Sequence, residues 1–491
     1  MTAQTVLIGR NPATGEVLGE YPIAGENEVG AAVDRARTAA TWWAGRPPAE
    51  RRALLLAWKR ELARGADELA ALIRSETGKP LTDAGLEVML AVEHLDWAAR
   101  NAHRVLRGRT VRSGLLAANQ RGVLSYRPLG VVGVIGPWNY PVYTPLGSVS
   151  YALAAGNAVV FKPSEYTPGV GRWLADKFLA AVGEPVLQVV TGDGTTGAAL
   201  ARSGVDKIAF TGSTATAKRV MAACAETLTP IVVEAGGKDA MIVAADADVD
   251  AAAAAAVFGG MGNSGQTCAG VERVYVERSV YAAFVDAVQA RAMELRPGAS
   301  EDSDYGPLTM PKQADVIAGH VADALARGGK PIVGGADAVR PPFVDPVVLT
   351  EVPEDSSAVT EETFGPVLIV NPVDDLDDAV RRANSTTLGL AGSVFTRDTK
   401  RGAAIAARLR VGAASVNSVL GFAAIPALPF GGVGDSGFGR IHGADGLREF
   451  SRANSLTVQR FRAPVDLMRF DRSPKAVATA WRMFRLRHAR G

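Results

Sequence analysis

The sequence predicts an α/β protein in two halves, each organised around a mostly parallel sheet. Short β-rich runs alternate with segments of helix length, the alternation starts afresh in the second half, and 491 residues suit two or three domains. In the first half the runs are VVGVIG (131–136), AVVFK (158–162), VLQVV (186–190), KIAF (207–210) and IVVE (231–234). In the second half VERVYVE, KPIVGG, VLIVNPV, SVFT and GAASVN take their place, separated by helices such as SVYAAFVDAVQARAMEL.

Ahead of the first sheet, residues 26–107 read as helices, because Leu55, Trp58, Leu62 and Leu69 recur at helical spacing. Residues 108–128 carry no helical stripe and read as extended strands. The alanine-rich run AAAAAAVFGGMG (251–262) reads as a buried helix, being shorter than the ~18 apolar residues a membrane span needs. Hydrophobic residues make up 47% and charged residues 21%, and the formal charge of +2 gives no bias toward nucleic acid. Two cysteines exclude a disulfide framework and suit a reducing compartment. The N-terminal residues lack a basic segment followed by a long apolar run, so the expected location is the cytoplasm.

Ligands of open α/β sheets bind beyond the carboxyl ends of the strands. PWNYP, after 131–136, places Trp138 and Asn139 there, and KPSE places Lys162, Ser164 and Glu165. TGST supplies Gly212 and Ser213, and IVVE runs into Glu234 and a Gly236–Gly237 pair. Four such strand ends suggest a cofactor crevice. Two G-x-G-x-x-G matches, GDGTTG (192–197) and GVGDSG (432–437), add little, since 53 glycines make chance matches frequent. Only the first lies between a strand and a helix, and residues 207–225 hold no acid to grip a ribose. Cys268 stands in NSGQTCAG between flexible backbone and a strand, whereas Cys224 sits among alanines in MAACAETL and reads as a small buried hydrophobe.

These segments together resemble the NAD(P)-dependent aldehyde dehydrogenase superfamily. The matching elements are ETGKP (76–80), PWNYP (137–141), KPSE (162–165), FTGST (210–214), EAGGK (234–238), GQTCAG (265–270), EETFGP (361–366), NSTTLGL (384–390), VN (416–417) and PFGG (429–432), in the family's order over about residues 10 to 460. The resemblance implies a Rossmann-type cofactor domain (1–107 and 129–235), an α/β catalytic domain (236–440) and a small β oligomerisation arm (108–128 and 455–465). It implies Cys268 as the nucleophile, with a thiol pKa held down by loop amides and cofactor charge. Asn139 would be the oxyanion donor and Glu234 the general base. Lys162, Ser164 and Glu165 would hold the adenine ribose, Gly212 and Ser213 the pyrophosphate at a helix N-terminus, and Glu362 the nicotinamide ribose, with Trp138 and Phe364 beside the nicotinamide. The implied cofactor is NAD, with NADP as the alternative, and the partners are an aldehyde, water and further copies of the chain in a homodimer or homotetramer. No metal and no nucleic acid are implied.

Three departures stand out. Ala235 replaces the usual leucine, Gly434 in PFGGVGDSGFGRIHG resembles the class 3 and aromatic-aldehyde branches, and Ser451–Arg452 replaces a threonine–glutamate pair, so a relay through that glutamate is not expected. The small Thr144 and Gly147 suggest a roomy substrate tunnel, and no arginine between 128 and 171 is placed to grip a carboxylate. Aromatic or medium-chain aliphatic aldehydes are therefore expected ahead of succinate semialdehyde. The alternatives of a CoA-acylating enzyme, a thiol hydrolase or acyltransferase, or a silent homologue are disfavoured by Glu234 and Cys268.

The tail, 466–491, reads as a basic amphipathic segment. Ser473–Pro474 starts a helix with Val477, Trp481 and Phe484 on one face and Arg482, Arg485, Arg487 and Arg490 around it. Its apolar stripe is expected to pack on the protein's own surface or across a dimer, in preference to a membrane.

Overall fold

The computed structural model describes residues 6–463 and 467–489. Each predicted β-rich run of the first half becomes a strand of a six-stranded sheet in the order Gly437–Phe438, Ile231–Ala235, Lys207–Gly212, Val131–Ile135, Ala158–Lys162 and Leu187–Val189. All neighbours are parallel except the two-residue edge strand Gly437–Phe438. These strands are buried on both faces, which is why they read as continuous apolar runs and not as alternating ones. From Val131–Ile135 the chain winds outward through Ala158–Lys162 and Leu187–Val189, then returns to the opposite side with Lys207–Gly212. The topological switch point therefore lies between Val131–Ile135 and Lys207–Gly212.

The second half forms a seven-stranded sheet in the order Lys330–Val333, Val347–Thr350, Val367–Val373, Val271–Glu277, Asp239–Val243, Ala391–Phe395 and Ala413–Val416, antiparallel only at the Lys330–Val333 edge. Two of its strands, Asp239–Val243 and Val347–Thr350, were not among the sequence-predicted runs. Asp239–Val243 follows Ile231–Ala235 after three residues yet belongs to the other sheet, so no helix intervenes to announce it. The 251–262 run is the helix Val249–Met261, whose alanines pack under Met241, Val274 and Leu368.

The helical region 26–107 resolves into Glu26–Gly45, Pro48–Arg64, Ala66–Thr77 and Leu81–Leu106. Leu55, Trp58, Leu62 and Leu69 are all buried, as their spacing required. Trp58 meets Phe178 edge-on at 5.1 Å, and Trp43 donates its indole N–H to the Leu153 carbonyl at 2.8 Å. These elements, with both sheets, make one compact unit of Met1–Val105 and Pro128–Arg452. Gly437–Phe438 returns to the first sheet from within the 236–440 span expected for the catalytic half.

A second unit comprises Leu106–Arg127 and Ala453–Gly491. Arg109–Val111, Gln120–Pro128 and Ser451–Gln459 form a three-stranded sheet with Gln120–Pro128 in the middle. The last strand thus starts four residues before the expected 455, and residues 464 and 465 of that expected strand lie outside the described residues. The tail helix runs Pro474–His488 with Ser473 at its N-cap and proline in the first turn. It buries none of its residues, and Trp481 and Phe484 are 56% and 49% exposed. Arg490 lies outside the described residues. Among the described residues no helix is long and apolar enough to cross a membrane.

One buried amide ties the start of the first sheet to its surroundings. Asn157 Oδ1 accepts from the backbone N–H groups of Leu129 (2.6 Å) and Gly130 (3.1 Å), while Nδ2 donates to the carbonyls of Ala152 (2.9 Å) and Phe450 (2.7 Å). Asn157→Ala leaves these groups without partners and is expected to cost roughly 3–5 kcal/mol, read as a lowered denaturant midpoint at unchanged slope.

Candidate active site

A cleft of about 690 Å³ opens at the carboxyl ends of the first sheet's strands, beside the switch point. Its lining brings together every residue given a catalytic or cofactor-binding role in the sequence analysis: Trp138, Asn139, Lys162, Ser164, Glu165, Gly212, Ser213, Glu234, Cys268, Glu362 and Phe364. Cys224 is elsewhere, buried in the helix Thr214–Glu226, where desolvation pushes its thiol pKa up.

At one end of the cleft the groups suit a dinucleotide. Ser213 caps the helix Thr214–Glu226, its Oγ accepting from the Thr216 N–H at 3.4 Å, so the free amides of the first turn and the positive end of the helix dipole face the cleft. Lys162 is buried, donates from Nζ to the Pro163 carbonyl at 2.9 Å and lies 3.7 Å from Glu165 Oε2. Gly194 and Gly197 of GDGTTG also line the cleft. GVGDSG does not; there Ser436 Oγ donates to the Gly236 carbonyl at 2.7 Å and accepts from the Gly389 N–H at 2.9 Å, a purely internal brace. Trp138 packs edge-on against Phe364 at 5.5 Å, and Glu362 Oε1 accepts from the Gly237 N–H at 3.0 Å. A helix N-terminus, a lysine and acid pair, and an aromatic wall within one cleft fit a nicotinamide dinucleotide.

The reacting end is built by two loops. Asn139 follows Val131–Ile135, and Cys268 precedes Val271–Glu277 after a turn in which Asn263, Ser264 and Gly265 all have left-handed φ (54°, 58° and 69°). Three such residues in succession are strained, and a Cβ at Gly265 would collide with the Gly365 carbonyl. The strain is held by hydrogen bonds: Asn263 Nδ2 donates to the carbonyls of Asn139 and Gln266, each at 3.1 Å. Asn139 Nδ2 reaches the same Gln266 carbonyl at 3.0 Å, leaving its second N–H available to the cleft.

Glu234 is buried, and neither of its carboxyl oxygens has a hydrogen-bond partner. Burial pushes its pKa up to about 7, with Cys268 and Thr211 offsetting part of the rise. Cys268 is partly exposed, yet its thiol pKa is pushed well above the ordinary range, first by desolvation and then by Glu234, Glu362 and Asp239. The expected lowering rested in part on cofactor charge; in the chain by itself, burial and the neighbouring carboxyl groups raise the thiol.

The substrate side also departs from expectation. A Cβ at Gly147 would collide with His442 Nε2, so an imidazole fills the room that the small residue suggested. His442 stands 4.0 Å from His94, ring centre to ring centre, with Tyr143 at 5.7 Å and Phe430 at 6.2 Å. Desolvation lowers the pKa of both histidines, which keeps this wall uncharged at neutral pH. Tyr143 is within electrostatic reach of Cys268 and Glu234, while none of these four residues lines the cleft itself. Sequence reasoning missed His94 and His442 because a lone histidine in a helix or loop carries no pattern.

The aldehyde dehydrogenase family profile matches residues 2–456. The chain is 38% identical over 468 residues to 4,4'-diapolycopene aldehyde oxidase of a Methylomonas species, covering 94% of this chain and 87% of that protein. It is 37% identical to a probable succinate-semialdehyde dehydrogenase [NADP(+)] of Sinorhizobium fredii, covering 91% and 92%. Among solved structures it superposes on lactaldehyde dehydrogenase from Escherichia coli with a TM-score of 0.89 at 30% identity, covering 94% and 97%. A Bacillus cereus aldehyde dehydrogenase in its NAD+ complex gives 0.88 at 34% identity, covering 93% of each chain. The chain belongs to the aldehyde dehydrogenase family. It is an NAD(P)-dependent oxidoreductase acting on aldehydes.

The burial of Glu234 has a consequence for stability. Its folded pKa of about 7 exceeds the ordinary carboxyl value near 4.5, so its effect on stability is neutral below about pH 4.5 and unfavourable above about pH 7. Glu234→Gln is therefore expected to stabilise the protein at pH 8 by on the order of 2–3 kcal/mol and to lose that advantage as pH falls toward 4.5. Thermal unfolding of both proteins across that range checks the sign.

Proposed function

We propose that the enzyme oxidises an aldehyde to a carboxylic acid through a covalent intermediate on Cys268. The observation that carries this reading is the convergence of Cys268, Glu234 and Asn139 with the dinucleotide-binding groups in a single cleft. The Cys268 thiolate attacks the aldehyde carbon, and the resulting thiohemiacetal oxyanion is stabilised by the free Asn139 side-chain N–H and the Cys268 backbone N–H. A bound nicotinamide would supply the acceptor for the hydride that leaves this carbon, which would turn the adduct on Cys268 into a thioester. Glu234, with a pKa of about 7, takes a proton from water as it attacks the thioester, and Cys268 is released. The raised thiol pKa of the chain alone is consistent with a nucleophile activated only when the cationic nicotinamide enters.

Ser213 and Gly212 would hold the pyrophosphate, Lys162, Ser164 and Glu165 the adenine ribose, and Glu362 the nicotinamide ribose, with Trp138 and Phe364 flanking the ring. Glu165 favours NAD, because its carboxylate accepts from ribose hydroxyls and repels a 2′-phosphate; Lys162, 3.7 Å away, tempers that repulsion enough for NADP to serve. The uncharged aromatic cluster of Tyr143, His94, His442 and Phe430, with Tyr143 within electrostatic reach of Cys268, supports aromatic or medium-chain aliphatic aldehydes. Succinate semialdehyde is the second reading, favoured by the names of several relatives at 36–37% identity. We place the enzyme in the cytoplasm as a homodimer or homotetramer, joined through the open edge of Ser451–Gln459.

Glu234→Gln is expected to accumulate an acyl adduct on Cys268, seen by intact-protein mass spectrometry, while Cys268→Ala forms none and Cys224→Ala turns over normally. Normal steady-state turnover by the Gln variant with no adduct would remove Glu234 from the reaction. In a kinetic panel, kcat/KM is expected to be higher for benzaldehyde and octanal than for succinate semialdehyde, and higher with NAD than with NADP. A reversed order in either comparison overturns that part of the reading.

A further inference from the structure

The ETGKP segment takes no part in the cleft lining, yet its lysine is among the most deeply buried side chains of the protein. Lys79 is 1% exposed. An ammonium so placed has lost its hydration, so its donors must be satisfied within the fold. Nζ donates to Glu87 Oε2 at 2.8 Å and to the Asn139 carbonyl at 2.7 Å, and it lies 4.2 Å from the centre of the Tyr140 ring. Glu87 uses its other oxygen on the same loop, accepting from the N–H groups of Val142 (2.7 Å) and Tyr143 (3.1 Å). The lysine and glutamate thus grip the main chain of 139–143 from the helical side.

The opposite side of that loop is held by the loop of the nucleophile. Asn263 donates to the same Asn139 carbonyl, Asn139 Nδ2 donates to Gln266, and the Tyr140 hydroxyl meets Thr267 Oγ1 at 2.9 Å. Asn139 therefore has its peptide fixed by Lys79 and Asn263 and one side-chain N–H fixed by Gln266, which sets the direction of the remaining N–H. Bonds from an ammonium are about twice as strong as neutral ones, which suits a group that must not shift as charge develops.

We propose that Lys79 is a positioning residue for the reaction: with Glu87 it holds the Asn139 segment against the Cys268 loop and keeps the free side-chain N–H aimed at the oxyanion. This rests on the assignment of Asn139 as oxyanion donor. The Asn139 amide does the stabilising, and Lys79 acts only through it.

The test is a double-mutant cycle in the full-length enzyme, with rates normalised to titratable Cys268. Asn139→Ala is expected to lower kcat by roughly 100- to 1000-fold. Lys79→Met is expected to lower kcat by roughly 10- to 100-fold with cofactor affinity changed less than about 2-fold, and Lys79→Arg to recover part of the loss. The variant lacking both is expected to be no slower than Asn139→Ala alone, because the second change then has nothing left to misplace. Losses that multiply in the double variant, or an undiminished kcat in Lys79→Met, overturn the proposal. A wild-type kcat in Asn139→Ala instead sinks the oxyanion assignment itself. Should Lys79→Met fail to fold, the cycle is run with Glu87→Gln, and multiplying losses there count against the proposal equally.

Discussion

A carboxyl group held out of water with no hydrogen-bond partner, facing a thiol, is the condition on which this site depends. Burial alone raises Glu234 to about 7, and Glu234 in turn helps raise Cys268. Two buried lysines, by contrast, are matched: Lys79 has Glu87 and Asn139, and Lys238 has Glu272 and Thr363. The unmatched group is tolerated because its raised pKa lets it stay uncharged below about pH 7. Burial thus keeps both groups protonated, with Glu234 adding to the rise at Cys268 while Cys268 offsets part of the rise at Glu234.

Much of this arrangement was legible in the sequence. The runs at 131–136, 158–162, 207–210 and 231–234 became neighbouring strands, and the polar residues that followed them met in one cleft. Strand ends are readable because apolar runs stop abruptly where the backbone leaves the core. What was not legible depended on who faces whom. Gly147 looked like spare room until His442, 295 positions later, turned out to fill it. The direction of the Cys268 shift depended on burial and on Glu234, with Glu362 and Asp239 adding to it, and no local pattern shows that the sulfur is desolvated. Asp239–Val243 escaped notice because it follows the preceding strand without the helix that a βαβ unit leads one to expect.

The tail shows the opposite limit. Ser473, Pro474 and the spacing of Val477, Trp481 and Phe484 were sufficient to locate the helix, since its start signals are local. Its environment was not, because amphipathicity says that a face wants cover without saying whose. The exposure of Trp481 and Phe484 leaves that face open.

The chain passes from the first sheet to the second between Ala235 and Asp239 and comes back with Gly437–Phe438. The two halves are therefore not a tandem pair but a frame with an insert. Recombination between relatives that exchanges the second sheet whole and keeps the first intact needs two junctions, one at the glycine pair after Glu234 and one ahead of residue 437. A single crossover at the first junction would trade away the edge strand together with the second sheet, leaving Ile231–Ala235 with a foreign neighbour.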